Sequence, residues 1–176
     1  MIVLVSIGLM YQKSDFEDDY LFVRDIHGDV SRTFELAAEN LSADLADVIR
    51  TSYLLCRIPD TIEDSGHIPV EEKSDLLDQY LGTLQDNPNY HTEDFISNSY
   101  DALEQDADHW SELDDLDIDQ SYWELLENTD RVFNVFAQFD DEIRQSIEHN
   151  VGEMVEGMRD VSSEIAETEA EGIRID

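Results

Sequence analysis

The stretch that decides the fold is YLLCRIPDTIED, residues 53–64, in which an apolar start is followed by charged residues at regular intervals. Arg57, Asp60 and Asp64 follow Tyr53 at steps of four, three and four residues, and Glu63 lies three residues after Asp60. These steps place side chains on one face of an α-helix. That face therefore carries Tyr53, Arg57, Asp60, Glu63 and Asp64.

Three carboxylates on one helical face need a compensating charge. Neighbouring acids on an exposed helix repel each other by a few tenths of a kcal/mol per pair. A divalent cation reverses that sign, and Mg²⁺ prefers one or two carboxylates together with substrate phosphate oxygens. Because Asp60, Glu63 and Asp64 follow an apolar stretch, we expect their helix to be mostly buried and the cluster to bind a metal.

The alternative to a metal site is an ordinary solvated acidic face. Acids are abundant in this chain, and Asp15, Asp18 and Asp19 repeat the same spacing at the start of a polar helix. Arg57 likewise has a plainer role open to it, as an ion-pair partner of Asp60 or Asp64. Both alternatives remain open from the sequence.

The chain is strongly acidic, with 44 acids against 10 bases and a formal net charge of −34. Such a charge makes a compact chain repel itself, and salt at 1 M shortens the Debye length to about 3 Å and screens the repulsion. We therefore expect a cytosol of very high salt. An acidic mimic of nucleic acid, or a partner for a basic protein, is the alternative. Nucleic-acid binding itself is not expected, because phosphate contacts need a basic face.

The single cysteine, Cys56, excludes a disulfide framework and a cysteine zinc site, and indicates a reducing, cytoplasmic location. The apolar run MIVLVSIGLM, residues 1–10, is shorter than the about 20 residues that cross a bilayer. It also lacks the basic flank and cleavage signature of a signal peptide. We interpret residues 1–13 as an apolar extension, with Met10 as an alternative start, ahead of one helical domain over residues 14–176.

Helical periodicity dominates that domain. It predicts a helix ending near Gly28, one opening near Ser31, a longer one between Ser42 and Ser65, and another from Pro69. A single further helix is marked by Tyr122, Leu125, Leu126, Phe133 and Phe136. The clearest amphipathic stripe recurs at steps of three and four and predicts a helix packed on a bundle: Ile143, Ile147, Val151, Met154, Met158, Val161 and Ile165.

Two segments resemble the squalene/phytoene synthase family: SRTF at residues 31–34, and YLLCRIPDTIED at residues 53–64. The resemblance implies the N-terminal portion of an all-α isoprenoid synthase bundle, and it implies metal binding by Asp60, Glu63 and Asp64. It further implies a catalytic role for Tyr53 and a substrate diphosphate site formed by Ser31, Arg32, Thr33 and Arg57. Helix N-terminal amides and bidentate arginines are suited to phosphate.

Within that family, a motif of the form Asp-Thr-x-Glu-Asp, here at residues 60–64, is more typical of squalene synthases. The resemblance then implies Mg²⁺ and NADPH as cofactors, and condensation of two farnesyl diphosphates through presqualene diphosphate to squalene. A phytoene or dehydrosqualene synthase, using geranylgeranyl diphosphate in the phytoene case, is the alternative. A peripheral membrane contact for product release is compatible with this reading.

Two features depart from the family pattern. Pro59 stands where the family has a small residue, and proline inside a helix costs about 3 kcal/mol and is expected to kink it. The family's second aspartate-rich motif does not occur in the 176 residues. We therefore expect an incomplete domain that does not turn over by itself. A non-catalytic helical interaction protein is the alternative.

The net charge predicts that folding depends on salt. We expect the chain to expand or unfold in dilute buffer and to fold in molar potassium chloride, because only concentrated salt screens its self-repulsion. Circular dichroism across a salt series measures this. Full helicity in dilute buffer would contradict the prediction.

Overall fold

The computed structural model describes residues 16–66, 68–86, 90–104 and 120–170, and these residues form helices and no strand. The expected all-α fold is thereby confirmed for the described part, while the extension over residues 1–13 lies outside it. No helix there combines the length and apolarity needed to cross a membrane. In chain order the helices are α1 (Glu17–Val30), α2 (Arg32–Ala38), α3 (Ala43–Glu63), α4 (Val70–Leu84), α5 (Thr92–Glu104), α6 (Gln120–Glu127), α7 (Thr129–Phe136) and α8 (Asp141–Ala170).

Helix α3, which carries the YLLCRIPDTIED stretch, is the central element of the bundle. It begins directly after Ser42 as predicted, and it packs against α1, α2, α4, α6, α7 and α8. Its inward side is fully buried and joins the main apolar core through Leu54, Leu55, Ile58 and Ile62. Burial of one side fixes the direction in which the charged side of the same helix points.

The helix predicted around Tyr122 and Phe136 is in fact two helices, so that expectation was wrong. α6 ends at Glu127 and α7 begins at Thr129. At the junction the buried Thr129 hydroxyl donates to the Leu126 carbonyl at 2.8 Å, and the side-chain amide of Asn128 donates to the Glu124 carbonyl at 2.8 Å. Such side-chain bonds to the backbone compete with the helical ladder and favour a break.

Helix α8 confirms most of the predicted apolar stripe, of which Ile165 lies outside the described side chains. Ile147 and Val151 are buried, and α8 packs mainly on α4 with further contacts to α3. Val161, predicted to face inward, is instead 52% exposed, while Val155 and Ser162 are buried. The buried stripe therefore drifts around α8 instead of following every predicted position.

Pro59 lies inside α3, and the helix continues beyond it to Glu63. Proline has no N–H, so the carbonyl of Leu55, four residues earlier, loses its normal helical donor. The hydroxyl of Tyr80 on α4 donates to that same Leu55 carbonyl at 2.6 Å. Tyr80 is fully buried, and burial raises the pKa of its hydroxyl well above the usual value, so the proton stays on the donor. A neighbouring helix thus supplies the hydrogen bond that Pro59 removes.

Tyr80 and Pro59 should therefore be energetically coupled. We expect Tyr80→Phe to lower the free energy of unfolding by about 1–3 kcal/mol, because a buried carbonyl loses its donor. In a Pro59→Ala background the restored backbone N–H can serve Leu55, and the cost of Tyr80→Phe should fall below about 1 kcal/mol. Urea unfolding of the four proteins in molar potassium chloride measures the coupling. An equal cost in both backgrounds would contradict it.

Candidate diphosphate and metal site

Two carboxylates of α3 converge on one cationic atom. Nη1 of Arg57 lies 3.4 Å from Oδ2 of Asp60 and 3.7 Å from Oδ2 of Asp64. Asp60 is about one-third exposed and Asp64 about two-thirds exposed, with side-chain values of 30% and 65%. The helical spacing predicted this shared face, and the ion pair considered for Arg57 is present.

Burial tunes the charges on this face. It raises the pKa of the Asp60 carboxyl, an effect that the positive charge of Arg57 partly offsets and that nearby Asp64 reinforces. Burial also works against the charged form of Arg57, but Tyr122 and Asp60 more than offset it and leave the pKa of the guanidinium raised. Arg57 therefore remains a cation, and Asp60 benefits from any positive charge placed beside it.

Tyr122 of α6 forms a second support for Arg57. The guanidinium carbon lies 4.7 Å from the centroid of the Tyr122 ring, within the range of a cation–π contact. Nε of Arg57 is buried and has no hydrogen-bond partner among the described residues. The periodicity assigned Tyr122 only to the inward stripe of its helix, and no local sequence signal links it to a residue 65 positions earlier.

The end of α3 is held by one of the chain's two lysines. Nζ of Lys73 on α4 donates to the backbone carbonyl of Glu63 at 2.5 Å. Burial lowers the pKa of this amine, while nearby Glu63 and Asp64 act in the opposite direction. A cation at a helix C-terminus satisfies an otherwise unpaired carbonyl and matches the helix dipole. Lys73 thus fixes the turn that carries the last two acids of the motif.

The SRTF segment lies against the same helix. The ring of Phe34 is 5.3 Å from the ring of Tyr53, centroid to centroid, and the segment forms the start of α2. Ser31 is the predicted N-cap of α2, but its side chain makes no capping bond. Arg32 and Thr33 are exposed, and their side chains have no hydrogen bond or ion pair within the part of the chain that the structure describes.

The structure thus brings Tyr53 next to the SRTF segment and brings Arg57 next to Asp60 and Asp64, while Glu63 stands apart from that pair. Among the described side chains, those of residues 16–66, 68–86, 90–103 and 120–162, no three from His, Cys, Asp or Glu form a metal-binding group. Two converging carboxylates nevertheless fit Mg²⁺, which takes one or two carboxylates and completes its shell with phosphate oxygens and water. The donor set therefore suits a metal that arrives with a diphosphate.

The same fit is not found for a dinucleotide. Glycine-rich loops at helix starts are the usual backbone cradle for a pyrophosphate. Among the described glycines, four lie within helices (Gly28, Gly82, Gly152 and Gly157), and Gly66 stands alone between α3 and α4. The described residues therefore provide no such cradle for NADPH.

An apolar groove runs beside the charged face, between α3 and α8. Its volume is about 580 Å³. Cys56, which precedes Arg57, lies on its wall, and burial raises the pKa of this thiol, which favours the neutral form. The α3 and α8 residues that line the groove are Val48, Ser52, Cys56, Glu142, Ile143, Ser146, Ile147, Asn150 and Val151.

Sequence reasoning missed a polar network on the other side of Tyr53. Glu35 of α2 pairs with Arg50 of α3 and with His27 of α1. Arg50 precedes Tyr53 by three residues, so the stripe of the YLLCRIPDTIED helix extends one turn further toward its start. Extending the same spacing backward would have found Arg50, although not its partners on two other helices.

Comparison with known proteins identifies a family for this chain. The family model described as squalene/phytoene synthase matches residues 27–171, which is most of the chain and includes the SRTF segment, the charged face of α3 and the described part of α8. Comparison with curated proteins and with solved structures gave no match. The match extends over well more than half of the 176 residues. The chain therefore belongs to the squalene/phytoene synthase family.

Proposed function

We propose that the charged face of α3 and the start of α2 bind the diphosphate of a prenyl substrate together with Mg²⁺. The observation that carries this proposal is the convergence of the Asp60 and Asp64 carboxylates on one cation position. Tyr53, one turn before Arg57 on the same helix, contacts the segment that the family resemblance assigns to diphosphate binding. Family membership supports a prenyltransferase-type activity on prenyl diphosphates.

Each side chain then has a distinct task. Arg32 and Arg57 hold phosphate oxygens through charge-assisted hydrogen bonds, and the amides at the start of α2 add donors around Ser31 and Thr33. Asp60 and Asp64 would hold Mg²⁺, and the metal would neutralise the diphosphate as it leaves. Tyr53, one turn before Arg57 and in contact with Phe34 of the SRTF segment, would orient the departing diphosphate.

The groove between α3 and α8 would take the prenyl chain. Cys56 lines the groove, and Asp60, one helical turn further along α3, is close enough to raise the pKa of the Cys56 thiol, so a diphosphate bound at the charged face can extend its tail toward apolar surroundings. Departure of diphosphate leaves an allylic carbocation, which water would quench. An apolar wall beside a charged anchor is the arrangement that this chemistry requires.

Condensation of two farnesyl diphosphates to presqualene diphosphate and then squalene is the specific reaction we propose. At position 61, where phytoene and dehydrosqualene synthases more often have a second acid, this chain has Thr61, and its hydroxyl donates to the Arg57 carbonyl at 3.0 Å. The face therefore lacks that additional carboxylate. Reduction of presqualene diphosphate requires a hydride donor such as NADPH, to which we assign no residue.

A non-catalytic helical protein is the second candidate, and the position of Arg57 favours it. The guanidinium already lies where two carboxylates converge, so an internal cation can satisfy them without a metal. In that case the family fold serves as an interaction scaffold. Metal-dependent ligand binding separates the two candidates.

The decisive variant is Asp60→Asn combined with Asp64→Asn. We expect wild type to bind a farnesyl thiodiphosphate in the presence of Mg²⁺ in molar potassium chloride. The double variant should lose about 10- to 100-fold in affinity or more, because removing metal ligands should cost at least as much as removing their outer-shell partners. Isothermal titration with and without Mg²⁺ measures both effects.

The matched control is Glu71→Gln combined with Asp75→Asn on α4. These two exposed acids have the same four-residue spacing, and their substitution removes the same charge. This variant therefore reports the general effect of making the chain less negative. Equal binding by the Asp60, Asp64 double variant and wild type would refute the assignment. Tighter binding of a geranylgeranyl than a farnesyl thiodiphosphate would favour the phytoene-type alternative.

A further inference from the structure

The helix that carries the SRTF segment has little apolar anchorage. α2 spans seven residues, and Ala38 is its one buried side chain. Two of its large apolar side chains, Phe34 and Leu36, are 56% and 65% exposed. Because area removed from water sets hydrophobic stabilisation, burial alone holds this helix weakly. Something else must fix the position of its first turn.

A buried polar network provides that anchor. Nη2 and Nε of Arg50 donate to Oε1 and Oε2 of Glu35 at 2.5 and 2.9 Å, a bidentate pair in which the Arg50 and Glu35 side chains are only 8% and 16% exposed. Nδ1 of His27 lies 2.7 Å from the same Oε2, and the His27 side chain is fully buried. Bidentate arginine–carboxylate pairs are among the strongest hydrogen-bonded contacts in proteins.

The protonation states of the three groups agree with this geometry. The hydrogen bonds from Arg50 and His27 lower the pKa of the Glu35 carboxyl against the opposing effect of burial, with Arg50 contributing most. Burial lowers the pKa of His27, and the contact with Glu35 only partly offsets it. We therefore assign a carboxylate at Glu35 and a neutral imidazole whose Nδ1–H donates to it.

The network closes a ring around Ser31. The Ser31 N–H donates to the His27 carbonyl at 2.9 Å, and the Glu35 N–H donates to the Ser31 carbonyl at 3.0 Å. The side chains of His27 and Glu35 also contact each other, so the two residues that bond to the Ser31 backbone are joined directly as well. Ser31 is therefore held between two residues that are fixed to each other.

The same network also places Tyr53. The His27 ring meets the Tyr53 ring edge to face, with centroids 5.0 Å apart, and Phe34 contacts Tyr53 from α2. Arg50 lies one turn before Tyr53 on α3. A shift of Glu35 would therefore move the SRTF segment and one wall around Tyr53 together.

We propose that Glu35 is a positioning residue for the diphosphate site: anchored by Arg50 and His27, it sets the place of Ser31, Arg32 and Thr33 relative to Tyr53. The inference rests on the proposed function and extends it to residues outside the two motifs. Glu35 touches no substrate atom, and it acts through the backbone of α2. Weakening its anchor should lower affinity for the diphosphate while leaving the bundle intact.

The test compares Glu35→Gln and Arg50→Lys with wild type. Glutamine keeps the shape and one acceptor but loses the charge, and lysine keeps the charge but loses the planar fork. Asp29→Asn is the control, since it removes one acid from the same region at an exposed position without a side-chain hydrogen bond among the described residues. The probe is methylenediphosphonate with Mg²⁺ in molar potassium chloride, and isothermal titration measures its binding.

We expect the dissociation constant to rise about 10- to 100-fold in Glu35→Gln and in Arg50→Lys, and to stay unchanged in Asp29→Asn. Amide hydrogen exchange should quicken over residues 31–36 and remain slow over residues 54–62. If Glu35→Gln fails to fold, Arg50→Lys decides the question. A purely structural role would instead quicken exchange throughout the bundle.

The outcomes also separate this inference from the proposed function. Wild type that fails to bind methylenediphosphonate with Mg²⁺ would refute both. Wild type that binds, together with Glu35→Gln and Arg50→Lys variants of unchanged affinity, would overturn only the positioning role. An equal loss in Asp29→Asn would likewise overturn it, because charge alone would then explain the effect.

Discussion

The hydrogen bond from the Tyr80 hydroxyl to the Leu55 carbonyl is the contact on which the site depends most directly. It lets Pro59 sit inside α3 without leaving a buried carbonyl unpaired. The helix therefore continues to Glu63, and the carboxylate of Asp60, directly after the proline, stays on the same face as Arg57. A helix that ended at Pro59 would separate Arg57 from Asp60 and Asp64. The buried face of α3 would then no longer fix the direction of the acids.

The scarcity of bases gives structural importance to the arginines that pair between helices. Ten bases face 44 acids, and several arginines join different helices. Arg50 joins α3 to α2, Arg131 joins α7 to Asp19 of α1 at 3.0 Å, and Arg159 joins α8 to Asp78 of α4 at 3.0 Å. Arg57 pairs with acids close to it in sequence, as Arg144 does with Asp141, and it contacts another helix through the ring of Tyr122. The ion pairs of Arg57 with Asp60 and Asp64 do not join helices, so a ligand can replace them without separating two helices.

The sequence predicts which side chains share one face of a helix, and it does not predict contacts that join several helices. The shared face of Arg57, Asp60 and Asp64 follows from spacing alone, as does the position of Ser31 at the start of a helix. The partners of Glu35 lie 8 and 15 residues away on two other helices, where no periodic rule applies. Pro59 signals the loss of one helical hydrogen bond, but nothing in the local sequence reveals that Tyr80, 25 residues from Leu55, supplies the missing donor.

The burial of each ion pair determines how it responds to salt. At 1 M salt the Debye length is about 3 Å, so exposed pairs such as Arg144 with Asp141 are largely screened. The Arg50–Glu35 pair is screened much less, because both side chains are mostly buried. Salt concentrated enough to relieve a net charge of −34 would thus weaken surface pairs and leave this anchor in place. An acidic chain that folds in such salt needs its site to be held by buried charge pairs, and the segment next to Tyr53 is held in this way.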